Sequence, residues 1–220
     1  MRRNPKHSSD AKQRLMDAGL DLFGKFSFDG ASTRMLTNRA EVNLSAIQYY
    51  FGGKEGLYRQ IVRSIAMEVG SLVKPRLNEI EIRLRENPSP EKGIELFCDL
   101  IDFLIGQFLG SPRTQKWLSI VVREQMEPTE AFDLLYTGFL GPIFDCCFRL
   151  VGAASGASEN DPEVRVRTYA LMGQLLTFHI SRATIRRNLS WTNYGEEEVN
   201  AIRTTILGHV RTVLHGNGDL

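Results

Sequence analysis

The sequence predicts an all-α protein, and three observations predict it. Apolar residues recur at i, i+3, i+4 and i+7 spacing from the N-terminal third to the last helix-length segment of the 220 residues. The breaks between these runs are rich in Pro, Gly and Ser: "ENPSPEKG", "GSPRTQ" and "AASGASENDP". Near the N-terminus a longer helical pattern is followed by two short ones about three residues apart, the pattern of a helix-turn-helix.

The elements follow in order. Leu15, Ala18, Gly19, Leu22, Phe23 and Phe26 give the first helix one apolar face, from an N-cap at Asp10 to about Phe26. "SFDGAST" reads as a loop, with Ser32 or Thr33 capping a second helix over 33–40 whose Met35, Leu36 and Ala40 face inward. Asn43 is the expected cap of a third helix over 44–50, anchored by Leu44, Ile47 and Phe51. Ser45, Gln48 and Tyr49 lie on the face that this core does not need. In a helix-turn-helix the second helix of the pair enters the major groove. Gln48 suits an adenine edge and the Tyr49 hydroxyl a phosphate. Gly52-Gly53 turns the chain, and Lys54 at the start of a fourth helix makes a phosphate clamp with the free N–H groups there.

Charge supports the same division. Residues 1–63 hold 11 Lys/Arg against 6 Asp/Glu, and the remainder 16 against 20, so a basic N-terminal part precedes an acidic one. No run of about 18 uninterrupted apolar residues is present and "MRRNPKHSSD" has no apolar stretch behind it, so neither a membrane span nor a secretory signal is expected. The three cysteines, Cys98, Cys146 and Cys147, lack the spacing of a disulfide framework and fit reduced thiols in a cytoplasm. No catalytic constellation, metal motif or phosphate loop is legible, so neither an enzyme, a metal site nor a cofactor is expected.

The segments "RLMDAGLDLFGKF" and "DGASTRMLTNRAEVNLSAIQYYFGGKEGLY" resemble the TetR family of bacterial transcription regulators over about residues 11–62. The resemblance implies an all-α dimer with an N-terminal three-helix DNA-binding domain, placed at 1–56, and a C-terminal effector-binding and dimerisation domain at 57–220. Position by position it makes Thr33, Asn43, Tyr49 and Lys54 phosphate contacts, and Thr37, Asn38, Leu44, Ser45 and Gln48 base-facing. The chain departs from the family at Ser27 and Glu41, where glycine is usual, and at Gln48, where an aromatic is usual. Glu41 would then need a positive φ, at a cost of about 1 kcal/mol. "VVREQMEPTEAFDLLYTGFLGPIFD" and "GQLLTFHISRATIRRNLSW" are similar to the C-terminal domain of the CecR-like (CerR) subgroup of that family.

Downstream helices are expected to end near Glu86, start near Pro90, carry Trp117 and end at Pro128, with a kink or break at Gly141-Pro142 and two last helices over 162–187 and 196–214. Tyr169, Gly173, Leu176 and Ile180 on one of these, with Ile202, Ile206 and Val210 on the other, form stripes suited to a four-helix homodimer interface. Trp117, Arg123, Phe132, Tyr136, Phe139, Phe178 and His179 are the candidate lining of a small-molecule effector pocket. The expectation is a cytoplasmic homodimeric repressor that leaves operator DNA when a ligand binds. The alternative is a constitutive DNA-binding protein of the same fold whose C-terminal domain holds a protein partner.

Overall fold

Every regular element among the described residues is helical. The computed structural model describes residues 5–109 and 112–216. Packing divides the chain into two compact units that do not follow chain order: Met1–Gly70 with Lys116–Phe139, and Ser71–Gln115 with Leu140–Leu220. Residues 116–139 therefore pack with the N-terminal helices.

The first unit begins with α1 (Pro5–Gly30), α2 (Thr33–Ala40), α3 (Ser45–Phe51) and the first half of α4 (Lys54–Glu86). Leu15, Ala18 and Phe23 on α1, Leu36 and Ala40 on α2, Ile47 on α3 and Leu57, Tyr58 and Ile61 on α4 are buried together as its core. Ser32 caps α2, its hydroxyl accepting from Met35 N–H at 3.2 Å. Two glycines make the start of α4 possible. Gly52 ends α3 in the left-handed region (φ 73°), and a Cβ on Gly56 would stand 1.8 Å from the Phe51 carbonyl oxygen.

Three local expectations change here. Helix α1 starts upstream of Asp10, which lies inside it, and reaches Gly30 with a break at Ser27 (φ 68°, ψ 176°). Leu44, already helical in backbone, occupies the N-cap position of α3, with no side-chain cap bond, so Asn43 is not the cap. Leu44 is 61% exposed and does not anchor α3. The positive φ expected at Glu41 is present (φ 53°, ψ 49°). There its N–H reaches the carbonyls of Asn38 and Thr37, so the strained residue closes α2.

The unit is completed by α6 (Pro112–Met126) from Lys116 onward, α7 (Phe132–Leu135) and a π-turn (Tyr136–Leu140). The kink or break expected at Gly141-Pro142 is replaced by this π-turn, after which α8 (Gly141–Ser155) starts with Pro142 in its first turn. Proline has no N–H to give to the carbonyl four residues back, and the wider turn accommodates that loss.

The second unit holds the rest of α4, α5 (Pro90–Phe108), α8, α9 (Pro162–Ile180), α10 (Arg182–Asn188) and α11 (Glu196–His215). Its core is built from Leu96, Phe97, Leu100, Ile101 and Leu104 of α5, Cys147, Leu150 and Val151 of α8, and Ile202, Ile206 and Val210 of α11. Ion pairs staple its rim: Arg83 to Asp99 at 2.9 Å and to Glu95 at 2.7 Å, Arg149 to Glu81 and Arg203 to Asp102. The single helix expected over 162–187 is two, because the backbone leaves helical geometry at Ser181 (ψ 16°). The Thr177 hydroxyl donates back to the Gly173 carbonyl at 3.2 Å, a bond that favours bending just before the break. The stretch Phe132–Ser155 is long and apolar enough to cross a membrane by length and composition, and half of that window is buried inside the protein.

Candidate DNA-reading surface and ligand-domain residues

Helix α3 has one fully buried side chain, with Ala46, Tyr50 and Phe51 partly covered. Ile47 is 2% exposed, whereas Leu44, Ser45, Gln48 and Tyr49 stand in solvent, Tyr49 at 75%. The Tyr49 ring packs edge-on against Tyr50 at 4.9 Å, so its direction is fixed while its hydroxyl remains free to meet a partner. Thr33, Asn38 and Asn43 are exposed at the ends of α2 and before α3. Lys54 is half-buried, with Nζ 4.3 Å from the Phe28 ring centroid. Thr37 is different. It is 3% exposed and its hydroxyl donates to the carbonyls of Thr33 and Arg34, so it is a packing residue turned away from any base. Arg34, exposed beside Thr33, adds a cation to this surface. The signal for it lay in its place in the first turn of α2, next to an expected phosphate contact.

Beneath this surface a polar frame joins α6 to α1 and α4. Glu124 is 1% exposed and accepts from Tyr58 Oη at 2.6 Å, from Thr129 N–H at 3.0 Å and from the Thr129 hydroxyl at 3.0 Å. Three donors on one buried carboxylate satisfy what would otherwise be a costly charge. Burial, then the hydrogen bond and charge of Glu124, push the Tyr58 hydroxyl far above the ordinary tyrosine range. Arg123 donates to the carbonyls of Phe23 at 2.7 Å and Lys25 at 3.4 Å. Asp21 meets Lys116 at 2.5 Å and Arg39 at 3.1 Å. Burial alone would raise the Asp21 carboxyl, and the bonds from Lys116 and Arg39 outweigh it and hold it below the usual value. Sequence reasoning missed this frame because its partners lie as far as 100 positions apart.

The candidate effector residues fall in both units. In the first, Trp117 (5% exposed) and Phe139 (3%) are core. Arg123 is committed to α1 carbonyls, neither pairing with a neighbouring Glu nor free for a ligand. Phe132 and Tyr136 pack as a ring pair at 6.0 Å, with Tyr136 half in solvent. In the second unit, Phe178 and His179 are half-buried. Burial, then the charge of Arg182, lowers the His179 pKa, and the Phe178 carbonyl accepts from Tyr194 Oη at 2.9 Å.

The two stripes suggested for a dimer separate. Ile202, Ile206 and Val210 are 2%, 1% and 0% exposed within one chain. The subunit's own core already covers them, so no surface is left for a partner. Tyr169 and Ile180 are more than half exposed and Gly173 is open. Leu176 is half-buried. On α11 the outward positions include Ala201, Thr204, Thr205, Gly208, Arg211, Thr212 and Val213, and His209 Nδ1 reaches Gln174 Oε1 of α9 at 2.9 Å across that face.

The cysteines are buried, and burial lifts the Cys146 thiol to about 12 and Cys147 well above its ordinary value. Thiolate chemistry is thereby suppressed. Among the described residues no three His, Cys, Asp or Glu side chains gather as a metal site.

Comparison with known proteins matches two family models along the chain. Residues 15–61 match the family described as "Bacterial regulatory proteins, tetR family", and residues 94–217 match "HTH-type transcriptional dual regulator CecR, C-terminal domain". The chain is similar to the HTH-type transcriptional dual regulator CecR of Shigella flexneri, with 33% identity over 208 residues covering 94% of this chain and 92% of that protein. Two solved structures share the fold. One is the transcriptional regulator FadR of Bacillus subtilis in complex with stearoyl-CoA, with TM-score 0.57 and 12% identity over 90% of this chain and 96% of that one. The other is HlyIIR, a hemolysin II transcriptional regulator, with TM-score 0.56 and 15% identity over 90% of this chain and 97% of that one.

Proposed function

The chain belongs to the TetR family of bacterial transcription regulators, in the branch with a CecR-type C-terminal domain, and from that premise we propose a cytoplasmic homodimeric repressor released from operator DNA by a small ligand. Its family consists of regulators of transcription, not enzymes. The observation that carries the DNA-reading assignment is the outward face of α3, where Leu44, Ser45, Gln48 and Tyr49 stand exposed around a single buried anchor, Ile47. Residues 1–56 read DNA and 57–220 bind effector and partner subunit. Asn38, Leu44, Ser45 and Gln48 face bases, Leu44 offering carbon to a thymine methyl. Thr33, Asn43, Tyr49 and Lys54 hold phosphates. Thr37 drops out because it is buried.

The dimer forms through the outward faces of α9 and α11, where small and apolar side chains allow close helix approach. Tyr169, Gly173, Leu176 and Ile180 belong to it. We place the effector in the C-terminal part of the chain; that there is a small ligand at all is supported by the FadR fold relative, which was solved in complex with stearoyl-CoA. Phe178 and His179, in the second unit, remain as candidate contacts; Phe132 and Tyr136 stay with the first unit, where Trp117 and Phe139 act as core. Ligand lowers operator affinity by favouring a spacing of the two α3 helices that no longer fits successive major grooves, about 34–36 Å apart.

The test is operator binding by the purified protein against a panel of small organic compounds. A compound that releases the operator should bind more weakly to the DNA-bound protein by the same factor. Phe178→Ala should weaken the compound and leave ligand-free operator binding near its original value. Release by a protein extract and by no compound would overturn the ligand reading in favour of a protein partner.

A further inference from the structure

Beside the DNA-reading surface, wholly inside the first unit, lies a half-open cleft of about 270 Å³. Phe28 and Tyr58 form its aromatic wall, with ring centroids 5.2 Å apart at 64°, and Ala131 closes the far side. Glu55, Arg59, Thr129 and Glu130 complete the lining.

An account of the polar groups decides what it would accept. The Tyr58 hydroxyl is spent on Glu124, and both the N–H and the hydroxyl of Thr129 are spent on the same carboxylate. The inner wall therefore presents carbon. At the rim Arg59 is paired with Glu130 at 2.5 Å. Glu55, exposed in the first turn of α4, has no ion pair or side-chain hydrogen bond among the described residues. Two carboxylates against one guanidinium leave the lining with a net negative charge. Carbon walls, aromatic faces and one unpaired acid at the mouth complement a small body with an aromatic or apolar end and a single cationic head. An anion would meet the carboxylates of Glu55 and Glu130.

We propose that this cleft is a binding site for a small arylalkyl ammonium compound, its ring against Phe28 and Tyr58 and its ammonium on Glu55. The site differs from the proposed effector site at Phe178 and His179, which belong to the second unit. An occupant would fill the space between the start of α4, where Lys54 rests on the same Phe28 ring, and the turn at 129–131. The compound would thus touch α1 and the first turn of α4, next to Lys54.

The experiment uses the full chain without DNA, so its outcome does not depend on operator recognition. The probe is 2-(4-fluorophenyl)ethylamine, followed by fluorine NMR, with 4-fluorophenylacetate as the oppositely charged control. Saturable binding of the amine is expected, with none of the carboxylate. Glu55→Gln, checked for an unchanged thermal melt, should weaken the amine roughly two- to fivefold, the share carried by a partly solvated ion pair. Phe28→Leu should weaken it through loss of the ring face. Equal binding of amine and carboxylate, full affinity in both variants, or no saturable binding of the amine at millimolar concentration would each overturn the proposal.

Discussion

Helices α3 and α11 both carry apolar side chains at helical spacing, and they use them in opposite ways. On α11, Ile202, Ile206 and Val210 vanish into the subunit's own core. On α3 only Ile47 does so, and Leu44 and Tyr49 remain 61% and 75% exposed. The long helix has enough neighbours from α5 and α8 to cover its whole stripe. The short one is fixed at a single point against α1 and α2, and the rest of its surface faces outward. Periodicity reports that a face is apolar. Whether it is covered, and by what, depends on the elements brought against it.

The largest expected effect tests the buried side of that contrast. Ile206→Asp places an unpaired charge in the core and should cost at least about 3 kcal/mol, enough to unfold a marginal domain. Circular dichroism melts should show lost structure, not a folded monomer. Ile180→Asp lies on the exposed face of α9. It should change stability by less than about 0.5 kcal/mol and yield a folded monomer by sedimentation. A stable, folded Ile206→Asp protein would mean that the α11 stripe is not core.

On the exposed side, Gln48→Ala should relax discrimination at one operator base pair by about 1–3 kcal/mol. Lys54→Ala should weaken all sequences alike and reduce the salt slope by about one charge. Operator titrations across a salt series separate the two, and an unchanged slope would remove Lys54 from the phosphate set.

Backbone strain offers a smaller effect of opposite sign. Ser27 and Glu41 hold positive φ without being glycine. Ser27→Gly and Glu41→Gly should each stabilise by up to about 1 kcal/mol, the relief of strain exceeding the added freedom of the unfolded chain. Denaturant midpoints measure this, and a lowered midpoint in both would show that the side chains contribute more than the strain costs.

The smallest effect is set by pH. The Asp21 carboxyl is held below its ordinary value by Lys116 and Arg39. Its contribution is therefore complete above the unfolded value, about 3.9, and is lost as pH falls through the lower folded value. Because the group is partly solvated, Asp21→Asn should cost less than about 1 kcal/mol at neutral pH. The difference from the parent should shrink in acid, and a constant gap between the two melting curves down to low pH would exclude the ion pairs as its source.

The sequence by itself determined the helical class, the helix-turn-helix, a cap for α2 at Ser32 or Thr33 and the break before Pro90. These are signals of adjacent or one-turn neighbours, where backbone sterics and capping chemistry act without the rest of the chain. It also marked Gln48, Ser45 and Tyr49 as surplus to the core, since a short helix with one strong anchor leaves most of its face outward. Tertiary structure alone decided that Thr37 is buried, that Arg123 pins α1, that Glu124 collects three donors, and that Ile202, Ile206 and Val210 are core. Each of these depends on a partner distant in sequence or on a neighbouring helix. A residue's type and spacing state what it can bond or bury, and only the assembled fold supplies the group that meets it.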